Sequence, residues 1–369
     1  MAEALQGRAS GWREEWDWLV VAAIVALVAL GFVRQAQAEE VAPEPPLAFG
    51  GIGEVPATAC PAPACCRVPH VLDPLAVDPL WSGRAEALLV WRGSPQSLAL
   101  IDSAAGGTAL DASQLGSGMA AGPRFTLFRH TGDDGAVEFN YLRVQSFQAQ
   151  QALPTTDGGY VQTPHGIFCC PSDTPIDTVS SSLTSSLQSF ELNRRFPTQG
   201  GWQWLTGFRW VEWREAVAIR TTGVSGIVNN TYRSSVWNDL YGWQGGFDSI
   251  LYGLGGPFRI EGLGKAGLYY DNAVQTSVRQ ANSTTLDVSS RVGQAAFVGE
   301  VGLTAVYDVF DWLSVRGGYA AFWLGGIAQG PNQFFAQELC TNGSPITGRT
   351  DTGGSVWIQG ITLGLEARY

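Results

Sequence analysis

From Trp81 to the carboxyl terminus, hydrophobic and polar residues alternate with a period of two. Between Gly83 and Arg92, Ala85, Ala87, Leu89 and Trp91 fall on one side, with Arg84, Glu86 and Arg92 on the other. Phe258 to Tyr270 sets Phe258, Ile260, Ala266, Leu268 and Tyr270 against Arg259, Glu261 and Lys265. Phe297, Val301, Leu303, Ala305 and Tyr307 oppose Glu300, Thr304 and Asp308, while Leu313, Val315, Tyr319, Ala321 and Trp323 oppose Ser314, Arg316 and Gly318. At the end of the chain Ile361, Leu363, Leu365, Ala367 and Tyr369 alternate with Thr362, Gly364, Glu366 and Arg368. Such alternation marks strands with one apolar face. Segments of helical period are scarce, and no apolar run after Trp81 is long enough for a membrane helix.

Weaker alternation near 121–130, 136–147, 184–195, 201–213 and 233–249 brings the expected number of strands to ten. In the 201–213 stretch Trp202, Trp204, Phe208 and Trp210 share a parity that breaks at Val211 and Trp213, which predicts a bulge or the edge of the apolar zone there. Asp239 sits on the apolar parity of its strand and is expected at headgroup level. The connections alternate in length. Long gaps near 93–120, 148–183, 214–232, 271–293 and 326–354 are separated by short ones at His130–Gly135, Phe196–Gly200, Gly253–Pro257 and Asp308–Asp311. This predicts an all-β fold, an antiparallel transmembrane β-barrel with short periplasmic turns, long outer loops and both termini in the periplasm. Trp81 to Trp91 and Trp312 to Trp323 bracket single strands. A tilted strand climbs roughly 24–26 Å over that distance, matching an apolar band between aromatic girdles.

The rest of the chain sets the compartment. Trp18 to Phe32 is an apolar run of signal-peptide length, followed by the small-x-small pattern Ala36-Gln37-Ala38. Residues 1–38 are therefore expected to be a cleaved signal peptide, 39–79 a periplasmic linker rich in Pro, Ala and Cys, and 80–369 the barrel in the outer membrane. Charged residues make up only 15% of the chain, as a lipid-facing exterior requires, and the net charge of −11 argues against nucleic acid as a partner.

Few residues suggest chemistry. Gly262-Leu263-Gly264-Lys265-Ala266-Gly267 matches the dinucleotide fingerprint in form, but it lies inside an alternating strand with no helix to follow, and Ala266 stands where a phosphate loop needs Ser or Thr. His70, His130 and His165 neighbour no triad partner. His165 with Asp157, Asp173 or Asp177 at the outer rim is the one arrangement that could imitate a rim-loop hydrolase. No enzyme activity, metal or cofactor is expected. Cys340 could pair with Cys169 or Cys170 and tie two outer loops together. Arg84, Glu86, Arg209, Arg259, Glu261, Lys265, Glu300, Arg316, Glu366 and Arg368 are expected to line the lumen. In a barrel of ten strands these mixed charges either pair into a plug or leave a thin path for small polar solutes.

Several segments resemble, in order, the beta-barrel porin type seven family of planctomycete bacteria. They are DPLWSGRAEALLVWRG, SFELNRR, GFRWVEWRE, NDLYGWQGGFD, FRIEGLGKAGLYYDNA, AAFVGEVGLTAVYDV and VRGGYAAFWLGGIA, spanning about residues 79 to 330. The resemblance implies an outer-membrane barrel and brings no catalytic residues. The ending, with Ile361, Leu363, Leu365 and Tyr369 on one face, is similar to the aromatic terminus by which barrel-assembly machinery recognises its clients. A porin-like or structural barrel is the leading expectation; a surface-display barrel whose loops bind a partner is the alternative.

Overall fold

The computed structural model describes residues 80–102, 108–116, 118–131, 135–154, 176–198, 202–223, 228–253, 255–281, 284–338 and 347–369. The expected signal peptide and linker, His70, His165 and all six cysteines, Cys169, Cys170 and Cys340 among them, lie outside the described residues. The strands in chain order are β1 (Trp81–Arg92), β2 (Ala99–Asp102), β3 (Thr108–Asp111), β4 (Met119–His130), β5 (Ala136–Pro154), β6 (Ile176–Pro197) and β7 (Trp202–Gly223). They continue with β8 (Val228–Gly253), β9 (Phe258–Ala281), β10 (Thr284–Phe310), β11 (Leu313–Ile327), β12 (Gln337–Glu338), β13 (Thr347–Gly348) and β14 (Gly354–Arg368), and a one-turn helix α1 (Gln333–Ala336) precedes β12. Ten of these strands close into one antiparallel barrel in the order β1-β14-β11-β10-β9-β8-β7-β6-β5-β4. Closure leaves no unpaired edge. The short strands β2 and β3 form a separate hairpin, as do β12 and β13.

The outer face of the wall is apolar and open to the surroundings. Leu268 is 74% exposed and Trp243 65%, and Val301, Leu303, Leu363 and Leu365 are all more than half exposed. Aromatic residues gather at both edges of this belt. Trp81, Phe310, Trp312 and Tyr369 stand at the rim that carries both termini of the barrel, with the Phe310 and Trp312 rings stacked at 5.8 Å. At the opposite edge Trp323 pairs directly with Trp357. There Glu212, Asp239 and Asn272 lie in one row of paired residues on the outer face, so Asp239 marks where the apolar belt gives way to polar wall.

The parity break at Val211 and Trp213 is the edge of the apolar zone, one of the two expected readings, and not a bulge, since no register shift occurs there. Both side chains point inward and are fully buried, while the outward positions turn polar at Glu212 and Arg214. One expectation needs correction: of the five stretches expected to be long outer loops, 214–232 and 271–293 are mostly strand. β6 to β10 run for 22 to 27 residues, well past the belt, which leaves only 224–227 between β7 and β8 and 282–283 between β9 and β10. Between β7 and β8 and between β9 and β10 the expected long gaps are therefore polar wall extended beyond the belt. The fingerprint-like Gly262–Gly267 lies wholly within β9.

A closed sheet this narrow must bend sharply, and inward-facing glycines provide the room. A Cβ on Gly207 would stand 2.1 Å from the Leu192 carbonyl oxygen, and one on Gly360 would stand 2.2 Å from that of Leu89. Only glycine lets neighbouring strands approach this closely.

Candidate functional site

The barrel interior is filled in three layers. The layer nearest the terminal rim is ionic. Strict alternation sends every second residue of each strand inward, and at this level many of those residues are charged and most of the others are polar or glycine. Eight cations (Arg84, Arg124, Arg195, Arg209, Arg259, Lys265, Arg316 and Arg368) face eight carboxylates (Glu86, Glu138, Glu191, Asp248, Glu261, Glu300, Asp308 and Glu366), so the layer is formally neutral. All ten barrel strands contribute to it.

Several of its pairs span the lumen rather than running along the wall. Arg124 Nη2 on β4 meets Glu300 Oε1 on β10 at 2.8 Å, and Arg209 Nη1 on β7 meets the other oxygen at 3.0 Å. Lys265 Nζ on β9 lies 2.8 Å from Glu191 Oε2 on β6 and 3.2 Å from Glu138 Oε1 on β5. Arg195 joins Glu138 to Asp248. Nearer the rim Glu366 Oε2 accepts from Arg84 Nε at 2.8 Å and from Arg316 Nη1 at 2.6 Å. Arg316 Nη2 reaches Glu261 at 2.7 Å and Arg259 Nη1 reaches Asp308 at 2.7 Å. Arg368 bridges Glu366 and Asp308, and Glu86 lies 3.8 and 3.9 Å from Arg316 and Arg124. Asn193 and Gln244 donate further hydrogen bonds to the same carboxylates. Between these groups remains a cavity of about 60 Å³ lined by Arg124, Glu138, Lys265 and Glu300, room for a few water molecules.

The second layer is apolar. Leu88, Val90, Leu142, Phe147, Val211, Trp213, Leu240, Phe322 and Ile358 meet across the lumen and are buried. One ion pair crosses it: Arg92 Nη2 and Glu215 Oε2 are 2.9 Å apart with side chains 1% and 0% exposed. The Arg92 guanidinium lies 5.4 Å from the Trp213 ring centre.

Two chain segments folded into the far end make the third layer. The β2–β3 hairpin inserts Leu100, Ile101 and Leu110 among Leu183, Val217, Ile219 and Tyr232. Asp111 closes this hairpin by accepting hydrogen bonds from the Ser113 amide and hydroxyl and from the Ser97 hydroxyl. Partial burial pushes its carboxyl up, but those donors together with the Leu98 backbone amide more than offset this and hold it below the usual carboxylate range. The segment after β11 is held by two neighbouring strands, β7 and β8. The Ala328 amide donates to Asn238 Oδ1 at 2.7 Å, Asn238 Nδ2 donates to the Ala328 carbonyl at 2.9 Å, and the Gly330 amide donates to Glu215 Oε1 at 3.0 Å. Phe334 packs on Tyr232 with ring centres 4.4 Å apart.

All ten residues read from the sequence as lumen candidates stand in the ionic layer. Six of its members were not singled out there: Arg124, Glu138, Glu191, Arg195, Asp248 and Asp308. Extending the inward parity of the clean strands across their weaker neighbours would have found them. Ile361, Leu363, Leu365 and Tyr369 are all about half exposed on the outer face. Tyr369 and Trp81 exchange two backbone hydrogen bonds, of 2.8 and 2.9 Å, that fasten the last strand to the first. His130 stands at the terminal rim with Nε2 2.9 Å from Ser82 Oγ. Among the described residues no group of three or more His, Cys, Asp and Glu is arranged to hold a metal ion.

These features define a closed β-barrel with an apolar exterior and a packed interior. No family model and no curated protein matches the chain. Among solved structures it is similar to Neisserial surface protein A, at 11% identity over 78% of this chain and 97% of that one, with a TM-score of 0.26. It is also similar to the Ralstonia pickettii toluene transporter TbuX (10% identity, 78% and 90%, TM-score 0.18) and to the outer-membrane channel DcaP of Acinetobacter baumannii (8%, 77% and 96%, TM-score 0.15). Likeness of this degree carries no argument about activity.

Proposed function

We propose that this chain is an outer-membrane β-barrel of porin-like architecture whose interior is closed in the conformation described, serving as a structural or tightly gated barrel rather than a standing pore. The observation that carries the reading is the pairing of an exposed apolar belt with a filled interior. A belt of this extent is unfavourable in water and matches a hydrocarbon layer between two aromatic girdles. The rim holding both barrel termini is then periplasmic, the polar wall of β6 to β10 projects outward, and lipid is the partner of the belt. Passage of a small polar solute would require displacing the two inserted segments, crossing the apolar layer and separating paired charges.

Membrane fractionation and planar-bilayer recording test this. The purified full chain is expected to resist carbonate extraction and to give no conductance steps. Release by carbonate or salt would sink the membrane reading, and steady conductance at low voltage would sink the closed interior. The projecting wall favours a second reading, surface display of a binding platform. Deleting the outer segment around Cys169 should then abolish binding of a partner while leaving the barrel heat-modifiable.

A further inference from the structure

Among the described residues six carboxylates are buried. Glu138, Glu191, Glu215, Glu300 and Glu366 each pair with a cation. The sixth, Asp271 on β9, is 0% exposed, and neither of its oxygens accepts a hydrogen bond. It points into the lumen between its directly paired neighbours, Leu240 on β8 and Gln294 on β10. The outer face of β9 turns polar at the next residue, Asn272, so Asp271 stands at the level of the polar wall, beyond the belt. The inward positions around it are Asn238, Gly242, Tyr269, Ala273, Val292 and Ala296, and none carries a charge. Asp239, on the outer face of β8, adds a repulsion, and the Arg92–Glu215 pair meets the inserted segment at Gly330. Burial, opposed by the Gln294 amide and joined by the Asp239 repulsion, lifts the Asp271 carboxyl to about 7.

The Gln294 amide is engaged elsewhere: Nε2 donates to the Gly326 carbonyl. Gly326 has φ 74°, and the register of β11 against β14 shifts there, between Gly325 and Ile327. At this turn the chain leaves the wall and enters the lumen as the segment Ala328–Phe334, so Gln294 fastens the hinge of that segment. Gln294 and Asp271 are directly paired, about 5 Å apart between Cα atoms, and rotation of one side chain exchanges the carbonyl for the carboxylate. A hydrogen bond to an ionised carboxylate is roughly twice as strong as one to a neutral carbonyl. The charge on Asp271 therefore decides which of the two the amide serves.

We propose that Asp271 is a proton-operated switch on the segment inserted after β11. While it keeps its proton, Gln294 holds the turn at Gly326 and the segment stays seated. When the proton passes to water, the carboxylate draws the Gln294 amide to itself and the hinge is released. The proposal rests on the closed interior put forward above and names how that closure is regulated. Its sign follows from a carboxyl raised in the closed state above its ordinary value of about 4. The hold is fullest below about pH 4, is lost as pH rises towards about 7, and changes little beyond.

The test is hydrogen exchange of the full chain in vesicles, each rate divided by that of an unstructured peptide at the same pH. The Ala328, Gln333 and Phe334 amides, all hydrogen-bonded, report on the segment. In the native protein their protection should be about a hundredfold lower near pH 7.5 than near pH 4.5. Asp271→Asn, which mimics the protonated acid, should keep the protection at both values. Gln294→Leu should lower it near pH 4.5 towards the native level near pH 7.5, because the hinge has lost its donor. Glu215→Gln should retain the pH step, since Glu215 acts at Gly330 and not at the hinge. A step that persists in Asp271→Asn, a step that vanishes in Glu215→Gln, or full protection of Gln294→Leu near pH 4.5 overturns the switch. Should Asp271→Asn fail to give a heat-modifiable barrel, Asp271→Ala replaces it under the same two outcomes. Absence of protection at every pH in the native protein would sink the closed interior and the switch with it, whereas protection indifferent to pH sinks the switch alone.

Discussion

Lys265 stands between Glu138 and Glu191 in the ionic layer, almost entirely out of solvent. Replacing it with Met leaves two buried carboxylates facing each other without their shared cation. Removing one partner of a buried ion pair costs about 3–5 kcal/mol, because the remaining charge cannot be solvated. Lys265→Met is therefore expected to destabilise the vesicle-inserted barrel by that order, read as a lower urea midpoint. Adding Glu138→Gln and Glu191→Gln to Lys265→Met should restore part of the loss. An unchanged midpoint in Lys265→Met would show the layer to be hydrated and weakly coupled. At the far end the residue to test is Asp111, whose carboxylate holds the Ser113 amide and hydroxyl and the Ser97 hydroxyl. Asp111→Ala should speed hydrogen exchange at Ser113 and its neighbours about fivefold, the equivalent of about 1 kcal/mol for a lost cap. The sign of its pH dependence follows from a folded value below the unfolded one. The stabilisation is present above about pH 4 and is lost as pH falls further through the folded value.

At the scale of the element, glycine position decides whether strands can approach. Gly360 faces inward on β14, where even one methyl group would meet the Leu89 carbonyl oxygen of β1. Gly360→Ala should therefore reduce the yield of heat-modifiable barrel on refolding, while Gly118→Ala, with open space around it, should refold like the native chain. Equal yields would mean that the strand pair can slide apart at no cost. The elements themselves were legible in the sequence wherever the two faces differ. In β1, β9 and β14 charged residues alternate with apolar ones, and the observed β1 and β9 begin within two residues of where the alternation does. Legibility failed where the inner and outer faces have the same character. In Glu215-Ala216-Val217-Ala218-Ile219 the inward Val217 and Ile219 belong to the apolar plug, while Ala216 and Ala218 face outward, so the period-2 contrast vanishes. The Ser-rich start of β6 fails for another reason: its outward face is all Ser and Thr, and inward Val179 and Leu183 alternate with Ser181 and Ser185, which dilutes the apolar parity. Those stretches read as loop, and the apolar filling of the outer half went unseen with them. The ionic layer was legible as ten charges of inward parity, but which of them meet across the lumen depends on barrel closure, which no single strand encodes.

For the whole molecule the seam between β1 and β14 is the last contact to form in chain order, and Tyr369 stands at its end. Two roles are combined in that residue. Its backbone exchanges hydrogen bonds with Trp81, and its ring, 56% exposed on the outer face, extends the parity of Ile361, Leu363 and Leu365. The first role would close the barrel anywhere, whereas the second would matter only where assembly machinery reads the terminus. Tyr369→Ala keeps the backbone and removes the ring; deletion of Tyr369 removes both. If the ring is an address, both variants should reach the outer membrane at a fraction of the native level, and both should refold close to normally into vesicles that lack the machinery. If the residue acts only as a fastener, Tyr369→Ala should assemble like the native chain in cells, and deletion should slow refolding in vesicles as well. We expect the first pattern, with the deletion showing a small additional defect in vesicles for its two lost hydrogen bonds. Normal assembly of Tyr369→Ala in cells would reduce the terminus to a structural seam.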